Sequence, residues 1–261
     1  MKTERFNLSQ TAWVTSYVRE NPREDGKPMP AVIICPGGGY EHVSRRESEP
    51  LALAFLSQGY QAFVLDYTVS SKLSDYGTSR KNFLADCLAE LKATFLLVQS
   101  HAKDWAINPE KVFLLGLSAG GHLASWYATS WQEIGGPRPA GLLLSYAVTD
   151  FRLGWPASLD FFKFDLGQVA DYASHEKVNS QTPETFIWHT VADDGVPVIN
   201  SLRFCEALAA AGISFEAHLF ENGPHGLSLA TRSSAPSNFE LEPDTASWFP
   251  LAIRFLERRI N

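Results

Sequence analysis

Residues 112–122 read V-F-L-L-G-L-S-A-G-G-H, from Val112 to His122. Val112 to Leu115 form an apolar run of the kind a strand buried on both faces requires. The chain then turns through Gly116-Leu117-Ser118-Ala119-Gly120, and Leu123, Ala124, Trp126 and Tyr127 resume at helical spacing. Strand, tight turn and helix around G-x-S-x-G is the pattern of a nucleophile elbow. Such a turn holds Ser118 in a strained conformation, with its hydroxyl projecting from the sheet edge. Gly116 and Gly120, lacking Cβ atoms, let strand and helix close around it. The Ala119 N–H is left at a helix N-terminus, where it can donate to a developing oxyanion. Taken alone, the pentapeptide is equally a serine in a glycine-rich turn, and the flanking patterns favour the elbow.

The surrounding chain makes a buried sheet feasible. Its 261 residues suit one large α/β domain, and a hydrophobic content of 45% supplies the core. A net charge of −7 with no Lys/Arg cluster argues against a nucleic-acid surface. No stretch approaches the roughly 18 continuous apolar residues of a membrane span, and M-K-T-E-R-F-N-L-S-Q lacks the apolar run of a signal peptide. Cys35, Cys87 and Cys205 are odd in number and set in apolar elements. They read as reduced core cysteines of a cytoplasmic protein, at spacings that suit no zinc site.

Working outward, Trp13 to Val18 alternates as an early antiparallel strand, and Asn21 to Pro30 reads as a surface turn. Strands are expected over Ala31–Cys35, Gln61–Tyr67, Ala140–Tyr146, Thr185–Thr190 and Ser214–Phe220. Helices are expected over Pro50–Gln58, Arg80–Lys103, Pro197–Ala211 and Thr245–Arg259, with Gly59 and Gly212 as stops. Val69 to Thr78 reads as a polar loop, and Asn108-Pro109 as a break before the elbow strand. Strand and helix therefore alternate, which predicts a doubly wound, mostly parallel α/β sheet flanked by helices. One domain over 1–261 is expected. Residues 147–183 are less regular and carry Phe151, Trp155, Phe161, Phe162, Phe164 and Tyr172; they form either a packed connection or a small cap.

A serine hydroxyl needs a positioned base before it becomes a nucleophile. In a doubly wound sheet with an elbow, the base belongs after the last strand and an acid after the strand before it. His225 lies after Ser214–Phe220, in E-N-G-P-H-G, and Asp193 lies after Thr185–Thr190, in H-T-V-A-D-D-G-V-P. The order Ser118, Asp193, His225 is the order such enzymes use. Of seven histidines, His225 alone sits in a Gly/Pro-rich loop after the last strand. Pro36-Gly37-Gly38-Gly39-Tyr40 follows the strand that supplies an oxyanion site, where Gly38 or Gly39 would pair with Ala119. No phosphate-binding glycine pattern is present in the chain.

P-G-G-G-Y, G-L-S-A-G-G-H, H-x-x-x-D-x-x-V-P and G-P-H-G, in this order over nearly the whole chain, resemble the α/β-hydrolase superfamily. Within it they are similar to bacterial carboxylesterases and acetyl esterases related to xylan and sugar-ester deacetylases. The resemblance implies Ser118 as nucleophile, His225 as base, Asp193 as acid, and Gly38, Gly39 and Ala119 as oxyanion donors. Counted from His189 or back from Val196-Pro197, its acid falls on Asp193. Asp194 then becomes a turn residue or helix cap, and Asp150 a less favoured substitute acid. The chain has P-G-G-G where hormone-sensitive-lipase-like enzymes have H-G-G-G, and D-Y-T-V-S-S from Asp66 where they have D-Y-R-L-A-P. Both departures favour the sugar-ester side.

The expected activity is therefore serine carboxylesterase action on short acyl esters of small molecules, acetylated sugars among them. No metal or cofactor is expected, nor any nucleic-acid or membrane partner. The rivals are an amidase or peptidase of the same fold, and a catalytically inactive hydrolase fold that only binds.

Overall fold

The computed structural model describes residues 1–22, 24–76, 83–158 and 169–260. Eight strands form one sheet: β1 (Lys2–Asn7), β2 (Trp13–Val18), β3 (Met29–Cys35), β4 (Gln61–Asp66), β5 (Ile107–Leu117), β6 (Leu142–Ser145), β7 (Thr185–Thr190) and β8 (Phe215–Phe220). Their order is β1-β2-β4-β3-β5-β6-β7-β8. β1 and β2 pair antiparallel with each other, and β2 pairs antiparallel with β4. Every later pair is parallel. The helices are α1 (Glu49–Ser57), α2 (Ser70–Tyr76), α3 (Phe83–Ser100), α4 (Ser118–Ser130), α5 (Ile199–Ala210), the short α6 (Pro243–Ala246) and α7 (Trp248–Ile260).

The apolar runs of the central strands follow from their position. In β3, Ile33 faces one core with Leu114 of β5, α3 and α4, while Ile34 faces the other with Leu115, α1 and α7. Alternate residues thus enter opposite cores, and both must be apolar. In the first core, Phe95 of α3 stacks on Tyr127 of α4, with the rings near parallel and their centroids 5.0 Å apart. Leu91 is buried in the same core, about one turn before Phe95.

Three expectations about the elements need correction, and one strand lies outside those expected. The charged segment Lys2–Asn7 carries no strand signal and is almost wholly exposed, yet it forms β1 because it pairs in register along β2. Ser70–Tyr76 is a helix, not a polar loop. Asn108-Pro109 does not break the elbow strand, which begins at Ile107; the irregularity is absorbed as a register shift against β3 between Met29 and Ala31. The final helix divides into α6 and α7 at Ser247. The expected helix from Arg80 begins at Phe83 in the described residues, and Arg80 to Asn82 lie outside them.

Of the irregular stretch 147–183, Phe151 is buried in the core beside α4, and Trp155 and Tyr172 pack around it. Phe161, Phe162 and Phe164 lie outside the described residues. Among the described residues, no helix is long and apolar enough to cross a membrane.

Candidate active site

The strand ends place the candidate residues. β3, β5, β7 and β8 run parallel, so the loops leaving them emerge along one edge of the sheet, where open α/β sheets bind ligands. Ser118 follows β5 directly and has φ +51°, a left-handed conformation that costs a non-glycine residue about 1–2 kcal/mol. The approach of α4 explains one glycine of the elbow. A Cβ on Gly120 would lie 2.1 Å from the Cys35 carbonyl oxygen, so only glycine lets the helix start this close to β3.

Ser118, Asp193 and His225 come together. Ser118 Oγ lies 2.8 Å from His225 Nε2. His225 Nδ1 lies 3.0 Å and 2.9 Å from the two Asp193 oxygens. With Nδ1–H donating to the carboxylate, Nε2 is the free acceptor that faces the serine hydroxyl. The Asp193 side chain is 1% exposed, against 25% for His225. Burial pushes the Asp193 carboxyl up, but hydrogen bonds from His189 and His225 outweigh it and hold the group well below the usual carboxylate range. The backbone N–H groups of Gly195 and Val196 also donate to Asp193 Oδ1, at 2.9 and 2.7 Å.

Of the two places expected for Asp194, the turn fits, since it lies in a bend after β7, and the helix cap does not. α5 begins at Ile199 without a side-chain cap, and Asp194 Oδ1 instead accepts the His225 backbone N–H at 3.0 Å. His189 enters the sequence reading only as the start of the motif count. In the structure its Nε2 lies 3.3 Å from Asp193 Oδ2 and 2.9 Å from the Val196 carbonyl, while Nδ1 meets Ser201 Oγ at 2.7 Å. The four-residue spacing of His189 and Asp193 is the signal that could have found it.

The glycine loop lies against the elbow. A Cβ on Gly37 would sit 2.8 Å from the Ser118 Cβ. Gly38 has φ +120°, and its carbonyl accepts from the N–H groups of Glu41 and His42. The Gly37 N–H is taken by Glu47 Oε2 at 2.6 Å. Ala119 lies in the first turn of α4, where backbone N–H groups have no intrahelical carbonyl to bond. The far side of the glycine loop is fixed by Tyr40, whose hydroxyl meets His122 Nδ1 at 2.8 Å; His122 Nε2 meets the Tyr172 carbonyl at 2.9 Å. Complete burial lowers the His122 pKa to about 4.

Asp150, the substitute acid, is engaged elsewhere. It is held by Arg152, whose Nε lies 2.9 and 3.0 Å from its oxygens and whose Nη2 lies 2.6 Å from Oδ2. Among the described residues, Asp150, His175 and Glu176 bring three metal-type ligands within reach of one another. The Arg152 guanidinium occupies that group by also bonding Glu176 at 2.6 Å. An open cleft of about 830 Å³ lies beside the glycine loop, lined by residues including Trp13, His42, Arg45, Asp66 and Lys72. Ser118, Asp193 and His225 do not line it.

The BD-FAE family model matches residues 20–136. A sugar hydrolase from Lactococcus lactis is 50% identical, with a TM-score of 0.91 over 99% of this chain and 98% of that one. MGS-M1, an alpha/beta hydrolase enzyme from a Medee basin deep-sea metagenome library, is 33% identical, with a TM-score of 0.81 over 99% of this chain and 98% of that one. An acetylxylan esterase from Xylanibacter ruminicola is 30% identical across 87% of this chain and 46% of its own length. The chain also matches an endo-1,4-beta-xylanase B from Butyrivibrio fibrisolvens, of which it spans 32%. It thus spans less than half the length of these curated relatives. The chain belongs to the α/β-hydrolase superfamily.

Proposed function

We propose that this protein is a serine carboxylesterase that cleaves short acyl esters, with acetylated sugars as the substrate class. The observation that carries the reading is the chain of contacts from Ser118 Oγ to His225 Nε2 and from His225 Nδ1 to Asp193. Ser118 Oγ attacks the ester carbonyl while His225 takes its proton. The carbonyl oxygen becomes an oxyanion, which Gly38, Gly39 and Ala119 N–H groups stabilise. The C–O bond to the alcohol breaks, and His225 returns the proton to the leaving oxygen. Water, deprotonated by His225, then attacks the acyl-serine and releases the acid. Asp193 holds the imidazole tautomer and stabilises its cation.

The acetylxylan esterase and sugar hydrolase relatives support the substrate class. One domain over 1–261 carries the activity. Among the described residues of 147–183, Phe151 has its ring 4.3 Å from that of His122, and in this reading it bounds a small acyl site. Three free cysteines fit a reducing, cytoplasmic setting. A hydrolysis panel from acetyl to octanoyl esters and acetylated sugars, run beside Ser118→Ala, tests the proposal. Turnover peaking at acetyl to butyryl, with at least about a thousandfold loss in the variant, is expected. A profile peaking at octanoyl would overturn the substrate class, and a variant keeping a tenth of the rate would overturn the nucleophile.

A further inference from the structure

Glu47 is 3% exposed, yet the reaction above gives it no task. It ends a single helical turn, Arg45–Glu47, that follows the glycine loop. Its two oxygens serve two different parts of the site. Oε2 accepts the Gly37 N–H at 2.6 Å, and Oε1 accepts the Tyr146 hydroxyl at 2.8 Å. Tyr146 follows β6 and is 1% exposed. Its hydroxyl also accepts the Ser228 N–H at 2.9 Å, three residues beyond His225. Its ring meets the His225 imidazole edge-on, with centroids 5.2 Å apart at 76°. Ser228 is fixed further by its Oγ donating to the Arg46 carbonyl at 2.8 Å and by Trp248 Nε1 donating to its carbonyl at 2.9 Å.

We propose that Glu47 is a positioning residue for ester hydrolysis, tying the loop that bears the oxyanion donors to the loop that bears the base. The inference rests on the assignment of Ser118 and His225 to catalysis. Gly37 is the point where the tie reaches the nucleophile. A Cβ there would lie 2.8 Å from both Glu47 Oε2 and the Ser118 Cβ, so its backbone is held between carboxylate and nucleophile. With its N–H engaged by Glu47, the peptide plane is fixed and the following N–H groups of Gly38 and Gly39 keep one direction. Tyr146 carries the same constraint to His225. Glutamine in place of Glu47 keeps the shape but has only one acceptor oxygen, so it cannot serve both Gly37 N–H and Tyr146 O–H. A transition state that demands donors aimed within a fraction of an ångström is sensitive to that loss, whereas ground-state binding is not.

The test compares wild type, Glu47→Gln, Tyr146→Phe and the double variant, using an acetyl ester as substrate and phenylboronic acid as a tetrahedral mimic. Circular dichroism establishes folding at the assay temperature. Glu47→Gln is expected to lower kcat by about 10- to 100-fold with KM within about twofold, and to weaken the boronate by a similar factor. The double variant is expected to be no slower than the slower single one, because both break one tie. Wild-type kcat in Glu47→Gln, a change confined to KM, or losses that multiply in the double variant would each overturn the proposal. Should Glu47→Gln fail to fold, Tyr146→Phe decides: a fall in kcat at constant KM supports the tie, and wild-type kcat overturns it. Ser118→Ala run alongside separates the two readings. If it is inactive while Glu47→Gln is unimpaired, the esterase assignment stands and only the tie fails.

Discussion

Asp150 and Asp193 follow neighbouring parallel strands, β6 and β7, and both carboxylates are almost fully buried, at 2% and 1% exposure. Burial raises each carboxyl, and hydrogen bonding brings each to a net value below its ordinary one. Their partners differ. Asp150 is gripped by the Arg152 guanidinium, which stays charged throughout the working pH range. Asp193 faces two imidazoles, and in the proposed reaction His225 takes up and returns a proton. Equal burial therefore yields a fixed ion pair in one place and, in the proposed reaction, a support for the base in the other. The contact partner, more than the carboxylate or its depth, decides the role.

The largest effect that can break this comparison is expected from Asp193→Asn. It should lower kcat by about a thousandfold to ten-thousandfold, because the amide no longer holds the required histidine tautomer. Steady-state hydrolysis of an acetyl ester reads it directly. If that variant stays active while Asp150→Asn is dead, the two roles are reversed.

Asp150→Asn is expected to keep kcat within about tenfold and to lose about 1–2 kcal/mol of stability, a figure discounted because Arg152 is 43% exposed. The loss should depend on pH. The folded carboxyl titrates below its unfolded counterpart, so its stabilisation is complete above about pH 4 and fades as pH falls through the native value. Urea unfolding at pH 7 and pH 3 should show the gap between wild type and variant closing in acid. A gap that widens on acidification would contradict the sign of that shift.

The smallest effect sharpens the comparison within one loop. Asp194→Asn should change kcat by less than about tenfold, since an amide oxygen can still accept the His225 N–H. Inactivation by this change alone would show that the negative charge at position 194 takes part.

The elbow, the parallel strands and the loops bearing Asp193 and His225 are legible in the sequence because their signals are local: an apolar run, a glycine turn, a fixed spacing. β1 is not, since charged residues at a sheet edge become a strand only through a partner. The role of Asp194 is hidden because it depends on a loop 31 residues away. Glu47 lies in the charged stretch R-R-E-S-E, which carries no motif; its burial becomes visible only with Gly37 and Tyr146 beside it.

Gly195 carries a consequence for how this chain can change over generations. A Cβ at that position would lie 2.7 Å from His225 Cγ, inside the imidazole ring's own space. Single-base changes to a glycine codon lead to alanine, serine, valine, aspartate and other residues that all bear a Cβ. Each would displace the ring that faces Ser118, so genetic drift meets a barrier here even though the position lies in a surface loop. Selection for a new substrate must find its variation at positions that do not press on the imidazole.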